Sequence, residues 1–276
     1  MSQETESSLE ALAQKEYPGR FIIVGQSPER QNVVVYGITG RSAGSQARKL
    51  VPYPEDGVVR VEPANGSAAP STLLFYPTIA AVEGHVVVSN GLQTELIVTG
   101  LKNAGDQNKY STKLTLQTAL GKPSYRYDPQ YGWVDITSFE PDEPNYTPRI
   151  SGLVGRDGHF ALDVVFRMNG EQTGGDLKEF ELKAGRGKLL PTYAGANQDP
   201  LPAFKGAPLD VRLAWTTARE TAEAVYTALK PEFAVAVAVL QYPHDKPPAL
   251  DEDTLSIINQ NERPNGGNSG SQGQLL

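Results

Sequence analysis

The chain has 276 residues, and its shares of hydrophobic (39%) and charged (21%) residues are those of an ordinary globular protein. It has no cysteine, which excludes disulfides, thiolate metal sites and a cysteine nucleophile, and its three histidines are far apart, so we expect no metal. The formal net charge of −7 argues against a nucleic-acid partner but does not exclude a small anionic ligand. No apolar run could span a bilayer, so we expect a cytoplasmic protein without a membrane partner.

Composition divides the chain into three parts. Residues 1–16 are polar and acidic, and they predict an N-terminal extension that is either a short helix or a frayed end. Residues 245–276 are polar and rich in Pro, Gly and Asn, and they predict a flexible C-terminal tail because such a segment buries too little apolar surface to fold. One domain is therefore expected over residues 17–244.

Strands dominate the predicted elements. Runs rich in β-branched residues predict strands at residues 21–24, 33–36, 58–61, 73–82, 85–89, 149–154, 160–167, 180–183 and 233–241. Turn-prone segments at 25–31, 83–84 and 156–158 join neighbouring runs into hairpins. The last run is nearly all apolar, so we expect a central strand that is covered on both faces.

Helices are fewer. The clearest is predicted at 218–229, where apolar residues recur at helical spacing, Thr217 and Glu220 fit a capping box, and Pro231 ends the helix. Further helices are predicted at 94–101 and 111–120. Many antiparallel strands with few helices indicate an α+β fold in which helices cover stacked antiparallel sheets.

Several common catalytic motifs are absent from the sequence. It has no P-loop and no Gly-x-Gly-x-x-Gly between a strand and a helix. An ATPase and a dinucleotide-dependent oxidoreductase are therefore not expected, and we expect any chemistry to depend on Arg, Tyr, Glu, Asn and the backbone.

Two segments could bind a small ligand. The strand end at 40–42, followed by Arg48 and Lys49, could hold a phosphate because guanidinium groups match phosphate oxygens, although a solvated strand end is the commoner explanation. Tyr76, together with residues 88–91 and Thr94, could contact a heterocycle or a carboxamide. A core tyrosine and an ordinary turn are the commoner explanation of this second set.

A third segment, the acidic and proline-rich loop at 139–149, could carry a general base. Glu140 and Glu143 are the candidates, and Arg149 is the neighbouring cation. A surface loop with solvated carboxylates is the alternative. The cation would lower a carboxylate's pKa and burial would raise it, so the sequence leaves its protonation state open.

In this order and at this spacing, the segments resemble those of the archaeal-type IMP cyclohydrolases. The matching motifs lie at residues 19–25, 36–42, 88–91, 145–150, 192–193 and 204–205, followed by the helix after Thr217. Each motif is short, but the ordered set covers about residues 17–241.

The resemblance implies a fold and a reaction. The implied fold is the four-layer αββα sandwich of the N-terminal-nucleophile hydrolases, without their self-processing nucleophile. The implied reaction is the dehydrative closure of 5-formamidoimidazole-4-carboxamide ribotide to inosine monophosphate (IMP), in which the carboxamide nitrogen attacks the formyl carbon and water leaves. The resemblance implies no cofactor and no metal, and it implies a homo-oligomer.

The resemblance also implies residue roles. Tyr76 would donate to the formyl oxygen, Glu140 would orient or deprotonate the carboxamide, and Arg41 would stabilise charge. The implied substrate-binding residues are Arg20, Ser42, Arg48, Asn90, Gly91, Thr94 and Arg149. Arg48 is the alternative to Arg41, and Glu143 is the alternative to Glu140.

The chain departs from the family pattern at three places. Gly40 stands where the family has a serine, the loop from Arg41 to Arg48 is longer, and an aromatic-rich insertion occupies about 123–137. The insertion would either reshape the pocket or pack between subunits. A related enzyme acting on another amide or ribotide, and a non-catalytic nucleotide-binding protein, stay open as alternatives.

Overall fold

The computed structural model describes residues 9–64, 71–104, 111–170 and 172–262. In chain order its strands are β1 (Arg20–Gln26), β2 (Gln31–Thr39), β3 (Arg48–Tyr53), β4 (Val58–Pro63), β5 (Pro77–Val82), β6 (His85–Ser89), β7 (Tyr125–Asp128), β8 (Gly132–Asp135), β9 (Arg149–Val154), β10 (His159–Arg167), β11 (Thr173–Glu181), β12 (Arg186–Pro191), β13 (Leu209–Arg212), β14 (Ala234–Pro243) and β15 (Leu255–Asn259). The helices are α1 (Glu10–Ala13), α2 (Ala43–Gln46), α3 (Gln93–Ala104), α4 (Thr112–Leu120) and α5 (Ala218–Thr227).

Two large antiparallel sheets pack against each other. One has the strand order β13-β12-β1-β2-β14-β15, and the other has the order β11-β10-β9-β6-β5-β4-β3. Inward side chains of both sheets, such as Ile22 and Tyr36 from one and Val88 and Leu162 from the other, form a single buried cluster. The strands β7 and β8 form a separate hairpin.

Helices cover the outer faces of the sheets. Ala222 and Val225 of α5 pack on the six-stranded sheet, and Ile97 of α3 and Leu116 of α4 pack on the seven-stranded sheet. The predicted capping box at the start of α5 is confirmed, since the Thr217 hydroxyl accepts from the Glu220 amide and the Glu220 carboxylate accepts from the Thr217 amide. In the part of the chain that the structure describes, no helix is long and apolar enough to cross a membrane.

The structure confirms an α+β fold with antiparallel sheets, but some predicted strands are wrong in extent. The strand predicted at 73–82 begins at Pro77, because Thr72–Leu74 form a short 3-10 helix and the Ser71 hydroxyl accepts a hydrogen bond from the Leu73 amide. The strand predicted at 180–183 is in fact β11, which begins at Thr173 and ends at Glu181. Sequence analysis missed β3, β7, β8, β12, β13 and β15.

The described parts of both predicted tails contain secondary-structure elements that pack against the sheets. β15 pairs with β14, and the Asn259 side chain bonds to both the amide (2.8 Å) and the carbonyl (3.0 Å) of Leu50 in β3. This contact joins the edges of the two sheets. At the other end of the chain, Leu12 of α1 is fully buried against the six-stranded sheet. Residues 1–8 and 263–276 lie outside the described residues.

Candidate functional site

A cavity of about 420 Å³ lies where β1 and β3 begin and β2 ends. Its wall includes Arg20 from β1, Thr39 from β2 and Arg48 from β3, while the acidic loop before β9 supplies Glu140 and Asp142. The other lining residues are Tyr17, Gly19, Arg41, Ser42, Gly44, Ser45, Ser71, Leu73, Leu74, Gln130, Tyr131, Asn145, Thr147, Tyr193 and Leu201.

Two buried arginine side chains, Arg20 and Arg149, lie beside the buried carboxylate of Glu140, and a third, Arg48, lies near Arg20. Arg20, Arg48 and Glu140 line the cavity, whereas Arg149 lies outside its lining. Nη2 of Arg20 lies 2.6 Å from Oε1 of Glu140, and Nη1 of Arg149 lies 3.8 Å from the same oxygen. Nε of Arg48 donates to the Ser45 carbonyl at 2.9 Å. One buried nitrogen of each arginine (Nε of Arg20, Nη1 of Arg48, Nη2 of Arg149) has no hydrogen-bond partner among the described residues. Because buried donors are normally paired, the cluster has free capacity for an acceptor.

The electrostatics of this cluster favour a bound anion. Burial lowers the pKa of Arg48, and the neighbouring Arg20 lowers it further. Burial also lowers the pKa of Arg149, and Glu140 offsets this effect only in part. An anion placed beside Arg48 would stabilise its charged form, because opposite charges attract strongly where water is excluded.

Asp142 is a second carboxylate of the cavity, and sequence analysis did not single it out. Its oxygens accept hydrogen bonds from the Thr147 amide at 2.6 Å and from the Thr147 hydroxyl at 2.5 Å. The same hydroxyl lies 2.6 Å from the Tyr193 hydroxyl. Burial, with a contribution from Glu140, raises the pKa of Asp142 to about 6. The acidic loop was a usable signal, but only the fold shows that Glu140 is buried and Asp142 is half-buried.

Tyr76 is close to the arginine cluster and lies outside the lining of the cavity. Its hydroxyl is 2.7 Å from the Tyr36 hydroxyl, and both side chains are buried. Burial raises the pKa of Tyr36 well above its ordinary value; Tyr76 adds to this effect, while Arg20 and Arg48 oppose it. The tyrosine pair is therefore close enough to the guanidinium groups to interact with them electrostatically.

Arg41 and Ser42 lie at the mouth of the cavity. Arg41 forms an ion pair with Asp199, with 2.5 Å between Nη2 and Oδ1, and its side chain is 28% exposed. The Ser42 hydroxyl caps α2 by accepting from the Ser45 amide. Glu143 is exposed, whereas Glu140 is buried in the cluster. The geometry thus favours Glu140 over Glu143 and places Arg48 deeper than Arg41.

Asn90, Gly91 and Thr94 support Arg149 instead of lining the cavity. Asn90 donates to the Pro148 carbonyl at 2.9 Å and accepts from the Ile150 amide at 2.8 Å. Thr94 donates to the Gly91 carbonyl at 3.0 Å. A Cβ at Gly91 would lie 2.4 Å from Nη1 of Arg149, so the glycine leaves room for the guanidinium. Their predicted contact with substrate stays a prediction, and the geometry favours a supporting role.

Comparison with known proteins identifies the family to which the chain belongs. The model of a family described as "IMP cyclohydrolase-like protein" matches residues 17–128 and 133–246. The chain belongs to this family. It is 24% identical over 246 residues to the IMP cyclohydrolase of Methanocaldococcus jannaschii, covering 87% of this chain and 97% of that protein. It is also 24% identical over 184 residues to the IMP cyclohydrolase of Methanococcus maripaludis, covering 66% of this chain and 76% of that protein.

The family match contains the whole arginine cluster. Arg20, Arg48, Glu140 and Arg149 all fall within the matched ranges of the IMP cyclohydrolase-like family. Within the described residues, no group of three or more His, Cys, Asp and Glu side chains is placed to hold a metal ion. The match is interrupted at residues 129–132, which form the tip of the β7–β8 hairpin.

Proposed function

We propose that the protein is an IMP cyclohydrolase, which closes the purine ring of IMP from 5-formamidoimidazole-4-carboxamide ribotide in purine biosynthesis. One observation carries this proposal: buried arginines with free donors lie beside a carboxylate, in a cavity of about 420 Å³ that is large enough for a small nucleotide. Membership of the family, and two relatives that are named IMP cyclohydrolase, support the same reaction.

The phosphate is assigned to Arg48. Its Nη1 is buried and has no partner in the described part of the chain, and a neighbouring cation, Arg20, lowers the pKa of Arg48. A phosphate monoester would supply the missing charge and a charge-assisted hydrogen bond. Arg41 at the mouth is placed to contact the same group on entry.

Ring closure needs orientation and charge stabilisation more than covalent help. The carboxamide nitrogen adds to the formyl carbon and loses one proton, and the formyl oxygen becomes an oxyanion. That oxygen takes up this proton and a second proton from the formamide nitrogen and leaves as water, and the formamide nitrogen forms the C=N bond of the ring. The free Nε of Arg20 is suited to donate to the oxyanion, and Glu140 is suited to accept from the carboxamide. Asp142, with a pKa of about 6, is suited to take the proton near neutral pH. Tyr76 would stabilise the charged arginines electrostatically from outside the cavity lining.

The proposal also includes the fold, the cellular location and the oligomeric state. Two packed sheets with helices on both outer faces are consistent with the four-layer αββα sandwich of the N-terminal-nucleophile hydrolases. A cytoplasmic, homo-oligomeric protein is expected for this role, and both properties stay predictions.

Turnover of the formylated ribotide by purified protein, followed by ultraviolet absorbance, tests the proposal. We expect wild-type turnover and a loss of about a hundredfold or more in Glu140→Gln, the scale of removing one oriented polar group. Tyr76→Phe is a second variant that keeps the cluster's charge and is expected to lower the rate. Glu143→Gln changes an exposed carboxylate of the same loop and is expected to keep the wild-type rate.

Folded wild-type protein that leaves the uncatalysed rate unchanged would contradict the cyclohydrolase assignment. If that protein still bound IMP, the result would favour a non-catalytic nucleotide-binding protein, or an enzyme for a related ribotide.

A further inference from the structure

The tip of the β7–β8 hairpin forms part of the cavity wall. Gln130 and Tyr131 both line the cavity. Asp128 and Gly132 are paired strand ends, so the tip is a loop of three residues, and the positive φ of Gly132 (74°) is typical of such a loop. The hairpin therefore carries two side chains into the site at one short turn.

Asp128 fixes the shape of this tip. The residue is 1% exposed, and its Oδ1 accepts from the Gln130 amide at 2.8 Å and from the Tyr131 amide at 3.1 Å. Its Oδ2 accepts from the hydroxyl of Ser71, which itself lines the cavity. Nε2 of Gln130 donates to the Tyr131 hydroxyl at 3.0 Å. A tip that is held in place before binding loses little conformational entropy when a ligand contacts it.

The tip lies outside the family match. The family match ends at residue 128 and resumes at residue 133, so Gln130 and Tyr131 are cavity residues that lie outside it. The family match therefore implies no role for either side chain.

We propose that Gln130 and Tyr131 are specificity-determining residues that contact the heterocycle of the bound ribotide, an inference that rests on the proposed function. Tyr131 lies on the acidic side of the cavity, where Asp142 and Glu140 influence it electrostatically. A phosphate would be repelled there and attracted to Arg48, so the heterocycle faces the tip. The phenol ring offers an aromatic face, and the Gln130 amide offers both a donor and an acceptor.

The test compares two ligands that differ in the heterocycle. IMP carries phosphate, ribose and purine, whereas ribose 5-phosphate lacks the ring system. In Tyr131→Ala and Gln130→Ala we expect the Kd for IMP and the KM for the formylated ribotide to rise about five- to tenfold, the range of one lost contact. The Kd for ribose 5-phosphate is expected to stay within about twofold of the wild-type value, because this ligand has no heterocycle with which the tip could make contact.

Tyr127→Ala is the matched control. Tyr127 belongs to the same hairpin but is 62% exposed and lies outside the cavity lining, so both ligands should bind this variant as they bind the wild type. If Tyr131→Ala lowered the affinity for both ligands equally, or lowered the affinity for neither, the proposal about the tip would be overturned.

The proposed function is judged separately by wild-type turnover. Wild-type turnover with tip variants that bind IMP normally would overturn the inference and leave the function standing. IMP binding without turnover would overturn the function, and the ratio of the two affinities would still decide the role of the tip. Wild-type protein that binds no IMP would overturn both.

Discussion

Arg48 is buried at the first position of β3, and Nη1 lacks a hydrogen-bond partner in the described ranges. Such a group destabilises the fold unless a ligand uses it. We expect Arg48→Met, which keeps much of the side-chain length, to leave the free energy of unfolding within about 1.5 kcal/mol of the wild-type value or to raise it. The Kd for IMP should rise by roughly tenfold to a hundredfold, since a charge-assisted hydrogen bond is lost.

Calorimetric titration with IMP and urea unfolding measure these two effects. Arg41→Met is the control, because Arg41 is partly exposed and paired with Asp199. A large loss of stability in Arg48→Met with unchanged IMP affinity would mean that Arg48 is structural.

The raised pKa of Asp142 predicts that the stability of the protein depends on pH. Its pKa is raised to about 6 by burial, with contributions from Glu140, and Arg20 and the two Thr147 hydrogen bonds only partly oppose this. Between about pH 4 and pH 6, the unfolded chain releases the proton while the folded protein keeps it, so the free energy of unfolding falls as pH rises. We expect Asp142→Asn to reduce this fall by on the order of 2 kcal/mol, measured by urea unfolding at pH 4.5 and pH 7.

Asp163, whose pKa is raised to about 7 chiefly by burial, contributes a fall of the same sign that remains in the variant. The exposed Asp245→Asn is the control. A pH dependence that Asp142→Asn leaves unchanged would show that Asp142 titrates normally.

Among the elements, α5 could be predicted from its own sequence. Its apolar residues and its capping box follow from local signals, and the structure confirms them, although the helix ends at Thr227 and not at residue 229. The Thr217 hydroxyl accepts from the Glu220 amide at 3.2 Å. Thr217→Ala should therefore lower the free energy of unfolding by about 1 kcal/mol, whereas Thr217→Ser keeps the hydroxyl and should cost less than about half of that. Equal values for the two variants would show that the cap does not stabilise the helix.

β15 could not be predicted from local sequence signals. Its residues lie in a polar, Pro-rich segment, and its pairing with β14 depends on a partner that is distant in sequence. The Asn259 amide satisfies both backbone groups of Leu50, which removal of the side chain would leave unpaired. We expect Asn259→Ala to cost about 1–3 kcal/mol in denaturant unfolding. Gln260→Ala, at an exposed neighbouring position, should change the free energy of unfolding little. An equally small effect of Asn259→Ala would show that the contact between Asn259 and Leu50 does not stabilise the fold.

At the scale of the whole molecule, the sheets and the helices over them were predictable, but the assembly of the site was not. Arg20 comes from the six-stranded sheet, while Arg48 and Arg149 come from the seven-stranded sheet. Sequence spacing singles out these arginines only one at a time, because their proximity depends on how the two sheets pack. For the same reason, the burial of Asp142 and the entry of Tyr131 into the cavity had no local signal.

A crystal structure of the protein with IMP would show whether the cavity between Arg20, Arg48 and Glu140 holds the ribotide. We predict IMP in this cavity, with a phosphate oxygen within about 3 Å of Nη1 of Arg48 and the purine toward Glu140 and Tyr131. IMP bound elsewhere, or this cavity empty in crystals soaked at saturating IMP, would contradict it.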